Sequence, residues 1–253
     1  MFSPNQFSGK VVVVTGGGTG LGKQTSKRFA ENGATVILAS NDGPSIQETE
    51  NEIKDAGGSA LAIETDVSSK SSVKNMVKKT NQLYGGVDIL INSAAIYPSK
   101  PFEEVDVEEW DQVFAVNSRG YFLCAKEVLT YMKNKRWGRI VNISSITYFL
   151  GFKDLVHYVS TKGAAIGFTR ALAREVGKHG ITVNSIAPGA FPTAAEEIHP
   201  DREAYNQKIL DNQSIKRRGN PDDIANTVLF FASNESGFIS GQSLLVDGGW
   251  AMG

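Results

Sequence analysis

The stretch VVVVTGGGTGLG, residues 11–22, decides how the rest of the chain is read. Four successive valines are stiff at χ1 and favour extended backbone. With no polar residue among them, they suit a strand covered on both faces. The glycines that follow allow a tight turn, and they let backbone N–H groups approach an anion at the start of a helix. Strand, glycine turn and helix in that order make the opening unit of an α/β sheet. The turn carries the spacing G-x-x-x-G-x-G through Gly16, Gly20 and Gly22. The pattern G-x-G-x-x-G is absent, because Leu21 stands where its last glycine would fall from Gly16.

The same alternation continues to the end of the chain. Apolar, β-branched runs at 35–39, 60–64, 87–92, 139–144, 181–187 and 243–247 follow the first at 11–14. Helical periodicity lies between them, at 21–32, 44–56, 69–84, 107–135, 155–178, 202–212 and 221–233. This pattern predicts an α/β, doubly wound, seven-stranded parallel sheet with helices on both faces and right-handed crossovers. No composition break marks a second domain, so residues 1–253 read as one unit. The stretch from about 190 to 219 is polar, charged and weakly periodic, and residues 190–216 are expected to form a substrate lid.

Composition narrows the function classes. The chain has 253 residues, is 41% apolar and carries a formal net charge of −1. That balance supplies no field for nucleic acid or an anionic membrane, and neither is expected as a partner. Cys124, in the apolar context FLCA, reads as a core residue. His157, His179 and His199 are dispersed, and no protein-built metal site is expected. The first residues, MFSPNQFSGK, contain no apolar signal core, and no apolar run approaches the ~20 residues of a membrane span. A cytoplasmic protein is the resulting expectation.

The segment HYVSTKGAAIGFTRALA, residues 157–173, places Tyr158 and Lys162 four residues apart on one helical face. Alone, such a pair is mostly solvated decoration. After a glycine turn, and with Ser145 at the end of the preceding strand, it reads as an acid–base device. A carbonyl that accepts hydride needs a proton, and the reverse oxidation needs a base. A nearby ammonium is expected to lower the phenol pKa toward the working pH. The Ser145 hydroxyl is placed to hold the substrate oxygen, with Ser144 as the alternative that spacing disfavours.

In these motifs the chain resembles the short-chain dehydrogenase/reductase family over nearly its whole length. Thr15 to Gly22 match the family's T-G-x-x-x-G-x-G, and Asp66 with Val67 match its adenine-contacting segment. NSAA at 92–95 stands where the family usually has N-N-A-G; Asn92 and Ala94 match, whereas Ser93 and Ala95 depart. Asn117, Ser145, Tyr158 and Lys162 match its four catalytic positions, and Pro188, Gly189 and Thr193 match the segment embracing the nicotinamide carboxamide. Within the family the chain is similar to bacterial secondary-alcohol dehydrogenases such as 1-phenylethanol dehydrogenase and pyridoxal dehydrogenase.

The resemblance implies a Rossmann fold and an oxidoreductase that moves hydride between a nicotinamide cofactor and a secondary alcohol or ketone. It gives Lys162 a second contact, with the nicotinamide ribose, which Tyr158 also borders. It has Asn117 organise a relay water, and it puts Gly16, Thr19, Gly20, Leu21, Gly22, Ser40, Asn41, Asp66, Val67, Asn92 and Ala94 along the cofactor. It also suggests a homotetramer in which helices 107–135 and 155–178 pair across a two-fold axis, with the C-terminal strand region making a second interface. Ser40 stands where NAD-type members place aspartate, and Asn41 where NADP-type members place arginine. Asp42 would repel a 2′-phosphate, so the reading leans to NAD, with NADP as the alternative.

A sugar or polyol dehydrogenase of the same family is the second enzyme reading. A dinucleotide-sensing binding protein is the third, disfavoured because such a protein need not keep Ser145, Tyr158 and Lys162. Tyr97, Thr147, Tyr148, Phe149, Phe152 and His157 flank the catalytic positions as candidate pocket residues.

Overall fold

The computed structural model describes residues 5–193, 196 and 201–252. Seven strands form one parallel sheet: β1 (Val11–Thr15), β2 (Thr35–Ser40), β3 (Ser59–Glu64), β4 (Ile89–Asn92), β5 (Gly138–Ile143), β6 (Ile181–Pro188) and β7 (Ser243–Val246). Their spatial order is β3-β2-β1-β4-β5-β6-β7. The direction of winding therefore reverses between β1 and β4, which opens a crevice at their carboxyl ends.

Alternation along the strands feeds two separate cores. Val12, Val14, Val36, Leu38, Ile89, Ile91 and Val141 face one layer, built on α1 (Gly20–Glu31), α2 (Gly43–Asp55) and α9 (Pro221–Ala232). Val11, Val13, Ile37, Leu90, Ile140 and Val183 face the other. That layer holds α3 (Lys70–Tyr84), α5 (Gly120–Lys135) and α7 (Val156–Val176). Both faces are covered, which is why the strands read as unbroken apolar runs.

The expected helix 107–135 is not uniform. It comprises α4 (Val107–Phe114), a π-helical stretch Ala115–Arg119, and α5. The backbone stays helical throughout, so hydrophobic periodicity alone does not reveal the wider turn. The short α6 (Thr147–Leu150) also escaped the sequence pattern. The remaining element, α8 (Arg202–Asn212), lies in the expected lid and buries only Ile209 among its residues. Residues 194–195 and 197–200 of that lid, His199 included, lie outside the described residues.

Across the switch point, one hydroxyl knits the strand ends together. Thr15 Oγ1 donates to Ile91 O at 3.3 Å and accepts from Ser93 N at 3.0 Å and Ala94 N at 3.1 Å. Gly16 N donates to Ala39 O at 2.7 Å. The departures at Ser93 and Ala95 therefore cost nothing in the backbone: Ser93 joins through its main chain, and neither residue has positive φ.

Candidate active site

The residues of the glycine turn fit a dinucleotide. Gly16 has φ 67°, and a Cβ there would lie 3.0 Å from Ala94 Cα. A Cβ on Gly22 would lie 2.1 Å from Gly16 O. Side chains are thus excluded at Gly16 and Gly22, which brings bare backbone to the N-terminus of α1, the arrangement that suits a pyrophosphate. Thr19 is the N-cap of α1 and makes no side-chain capping bond. Leu21 packs against the core beneath, and Thr193 stands over the turn, 3.6 Å from where a Gly20 Cβ would be.

At the β2 end, Ser40 Oγ accepts from Asp42 N at 3.2 Å, and Asn41 and Asp42 are exposed. Asp42 caps α2, accepting from Ser45 N at 3.2 Å. Lys23, the lysine of helix α1 nearest the turn in sequence, is held by Glu52 at 2.7 Å. Asp66 is exposed after β3, with Oδ1 accepting from Ser68 N at 2.8 Å, while Val67 is buried against Gly120. Asn92 is different. It is fully buried, its Nδ2 donates to Asn142 Oδ1 at 2.8 Å in the sheet interior, and its Oδ1 has no hydrogen-bond partner among the described residues. Pro188 and Gly189 border the crevice on its far side, fixed by Ile146 N donating to Pro188 O (3.1 Å) and Gly189 N donating to Val246 O (3.0 Å).

Tyr158 and Lys162 lie one helical turn apart on α7, Lys162 buried and Tyr158 half-buried. Lys162 Nζ donates to Ile143 O at 2.8 Å and to the Tyr121 hydroxyl at 3.3 Å, and the Tyr121 hydroxyl donates to the same carbonyl at 2.8 Å. Ser144 is turned away from the crevice, its hydroxyl donating to Lys162 O at 2.9 Å. Ser145 faces the phenol instead, and accepts from Thr147 N (3.2 Å) and Thr147 Oγ1 (3.0 Å). The two serines have thus separated into a packing residue and a site residue.

The electrostatics correct one expectation. Burial pushes the Tyr158 phenol up to about 12, with the Ser145 hydroxyl offsetting part of the rise. Burial also pulls Lys162 down to about 7. Lys162 therefore does not lower the phenol pKa in this arrangement. Its nitrogen lies 5.3 Å from the centre of the Tyr158 ring but is committed to Ile143 and Tyr121, and near neutrality it is no longer a full-time cation.

Asn117 lies in the π-helical stretch and is fully buried. Its Oδ1 accepts from Ile96 N at 2.9 Å, and its Nδ2 donates to Ile96 O at 2.8 Å and Thr161 Oγ1 at 3.2 Å. The side chain thus clamps the loop after β4 through both Ile96 bonds and ties it to α7 through Thr161. That loop carries Tyr97, edge-on to Tyr158 with centroids 6.0 Å apart. Phe152 meets Trp250 at 6.1 Å, whereas Tyr148 and Phe149 meet edge-to-face and are partly exposed, with Tyr148 packed on Gly163. The last two therefore leave the pocket candidates. Tyr121 was missed because it falls inside an apolar helical run; only its pairing with Lys162 reveals it.

Residues 16–251 match the family described as enoyl-(acyl carrier protein) reductase. The chain belongs to the short-chain dehydrogenase/reductase family. It is 40% identical to the (2S)-[(R)-hydroxy(phenyl)methyl]succinyl-CoA dehydrogenase subunit of Thauera aromatica, over 95% of this chain and 96% of that one. It is 35% identical to a 2,5-dichloro-2,5-cyclohexadiene-1,4-diol dehydrogenase of Sphingobium indicum, over 98% of this chain and 99% of the other. Among solved structures, levodione reductase superposes with a TM-score of 0.90 at 31% identity, over 96% of this chain and 97% of that one. The protein is accordingly a nicotinamide-dependent oxidoreductase acting on CH–OH or carbonyl groups. Among the described residues, no helix is long and apolar enough to cross a membrane, and no cluster of three or more His, Cys, Asp or Glu could hold a metal.

Replacing Lys162 with methionine should abolish most turnover while stabilising the fold. The folded protein binds the lysine proton less tightly than the unfolded chain, where lysine titrates near ~10.4. Wild-type stability therefore rises with pH from about 7, where folded Lys162 titrates, towards the free-lysine value. Below that window both states are protonated and the burial penalty is complete. The gain from Lys162→Met should accordingly be largest at or below pH 7 and shrink towards pH 10, as read from urea midpoints. A gain or loss independent of pH would contradict a buried, depressed Lys162.

Proposed function

We propose that the chain is an NAD(H)-dependent dehydrogenase that interconverts a secondary alcohol bearing an aromatic group with its ketone. The observation that carries this reading is the Ser145–Tyr158–Lys162 group, with the half-buried phenol of Tyr158 between buried Ser145 and Lys162. Tyr97 stands edge-on to the phenol, and the Phe152–Trp250 pair joins the loop before α7 to the C-terminal segment. The Thauera relative, whose name includes a hydroxy(phenyl)methyl group, supports the same substrate class.

When bound, the nicotinamide supplies or takes the hydride. The chain's residues do the rest. Backbone N–H groups of the Gly16–Gly22 turn would hold the pyrophosphate; Ser40 and Asn41, the adenosine ribose; Asp66 and Val67, the adenine; and the main chain at Asn92 and Ala94, the segment between. Pro188, Gly189 and Thr193 would border the carboxamide. Tyr158, held protonated by its burial, donates the proton that a reduced ketone requires and recovers it in the oxidation. Ser145 holds the substrate oxygen against it. Lys162 would border the ribose and is the group near the phenol that can gain or lose a proton near neutrality. Asn117 spends its side chain on Ile96, so its main chain is the part that could order a relay water.

NAD is favoured over NADP by charge. Asp42 remains an exposed carboxylate at the end of β2 and would meet a 2′-phosphate unfavourably. The lid reading rests on α8, which is anchored by Ile209 and held through Asn206 by Arg218, whose other bond goes to Glu196 ahead of the helix. The charge of α8 favours a second reading, a sugar or polyol dehydrogenase, through Arg202, Glu203, Lys208 and Asp211.

Cofactor absorbance at fixed enzyme concentration separates these readings. An aryl secondary alcohol with NAD should give the highest kcat/KM, above aldoses, polyols and the same alcohol with NADP. A preference for an aldose, or for NADP, would overturn the corresponding half of the proposal.

We also propose a homotetramer. Val107 and Phe122 are exposed on the α4–α5 side, and Phe238, Leu244 and Met252 on the β7 side, giving two apolar faces suited to two isologous interfaces. Light scattering at micromolar protein should return four times the chain mass; a monomer would refute it.

A further inference from the structure

Tyr158 is held from behind by a residue that the reaction itself does not require. His157 is fully buried in the first turn of α7. Its Nδ1 accepts the backbone N–H of Tyr158 at 2.8 Å. Its Nε2 lies 3.1 Å from Glu109 Oε1 on α4, and the other Glu109 oxygen pairs with Lys100 Nζ at 2.8 Å. An imidazole that accepts at Nδ1 and faces a carboxylate at Nε2 is neutral, with its proton on Nε2.

The bond answers a need of the helix. The first amides of any helix lack intrahelical acceptors. Leu155, the N-cap of α7, offers no side-chain bond, and Tyr158 is the third residue of the helix. The imidazole takes the place of the missing cap at the residue whose phenol must be aimed. The same chain of contacts reaches the loop that carries Tyr97, because Lys100 N donates to Asp154 O at 2.9 Å just before α7. Glu109, Lys100 and His157 thus join three segments that border the crevice: the loop after β4, α4 and the start of α7.

We propose that His157, oriented by the Glu109–Lys100 pair, is a positioning residue that fixes the first turn of α7 and so aims the Tyr158 hydroxyl at the Ser145 side of the crevice. The proposal rests on the reading of Tyr158 as the proton-transfer group. His157 touches neither substrate nor cofactor, so its effect falls on turnover rather than binding. A misaimed acid loses rate because near-attack geometry is lost while the ligand contacts remain.

Two substitutions separate the bonds of the imidazole. Asparagine keeps an acceptor where Nδ1 stands but cannot reach Glu109. Glutamine reaches Glu109 but leaves the Tyr158 amide without its acceptor. His157→Gln should lower kcat by roughly tenfold with KM and cofactor affinity within roughly threefold, whereas His157→Asn should keep most of the wild-type kcat. Hydrogen exchange at the Tyr158 amide, which needs no substrate, should quicken in His157→Gln and stay slow in His157→Asn. If both variants lose kcat equally, or if the Tyr158 amide exchanges alike in both, the positioning role is wrong. If exchange separates the variants as stated but wild-type protein turns over no alcohol with either nicotinamide, the role of the imidazole in holding Tyr158 stands and the assignment of proton transfer to Tyr158 falls.

Discussion

A lysine ammonium enclosed by protein is costly, and the site depends on how that cost is offset. Lys162 Nζ rests on the Ile143 carbonyl at the end of β5, sharing it with the Tyr121 hydroxyl from α5. The Ser144 hydroxyl returns a bond to the Lys162 carbonyl. Strand end, α5 and α7 are thereby fixed to one another at a single point. Tyr158 lies one helical turn before that point and inherits its position. The charge itself is only partly kept, since burial brings Lys162 down to about 7. A group balanced in this way is stabilised less by the fold than a hydrophobic residue would be, which is the expected sign of a functional requirement.

The sheet explains why such a group stands beside a dinucleotide turn. All seven strands are parallel, so every connection after a strand emerges at the same edge. The glycine turn follows β1, the Ser93–Ala94 segment follows β4, Ser145 follows β5 and Gly189 follows β6. Between β1 and β4 the winding reverses and the crossover helices diverge to opposite faces, leaving the crevice uncovered. The Thr15 hydroxyl closes the floor of that crevice by taking up the first two free amides after β4. The strand ends are thus cross-linked where the cofactor would be gripped, while α8 is anchored on the body of the protein by Ile209.

The strands were legible because burial on both faces leaves an uninterrupted apolar signal, as Val11 to Val14 illustrate. Spacing singles out Ser145, Tyr158 and Lys162 as the proposed catalytic positions, and the fold brings these three together. What sequence could not show was the direction in which each side chain would turn. Lys162 was expected to act on the phenol, yet its bonds go to Ile143 and Tyr121. Asn92 matched a cofactor motif, yet its amide joins Asn142 in the interior. Tyr148 and Phe149 lie close in sequence to Ser145, but α6 turns them outward. The widened turn at Ala115–Arg119 was hidden because a π-helical stretch preserves the apolar stripe of the helix on either side of it.

The central claim is that one phenol, that of Tyr158, carries the proton in a nicotinamide-dependent oxidoreductase. Stopped-flow measurement of hydride transfer in Tyr158→Phe, with cofactor affinity measured alongside, tests it most directly. The substitution removes the hydroxyl and keeps the ring beside Tyr97. A loss of at least ~10²-fold in turnover with cofactor affinity nearly unchanged is the predicted result. Near-normal turnover in the variant would contradict the account.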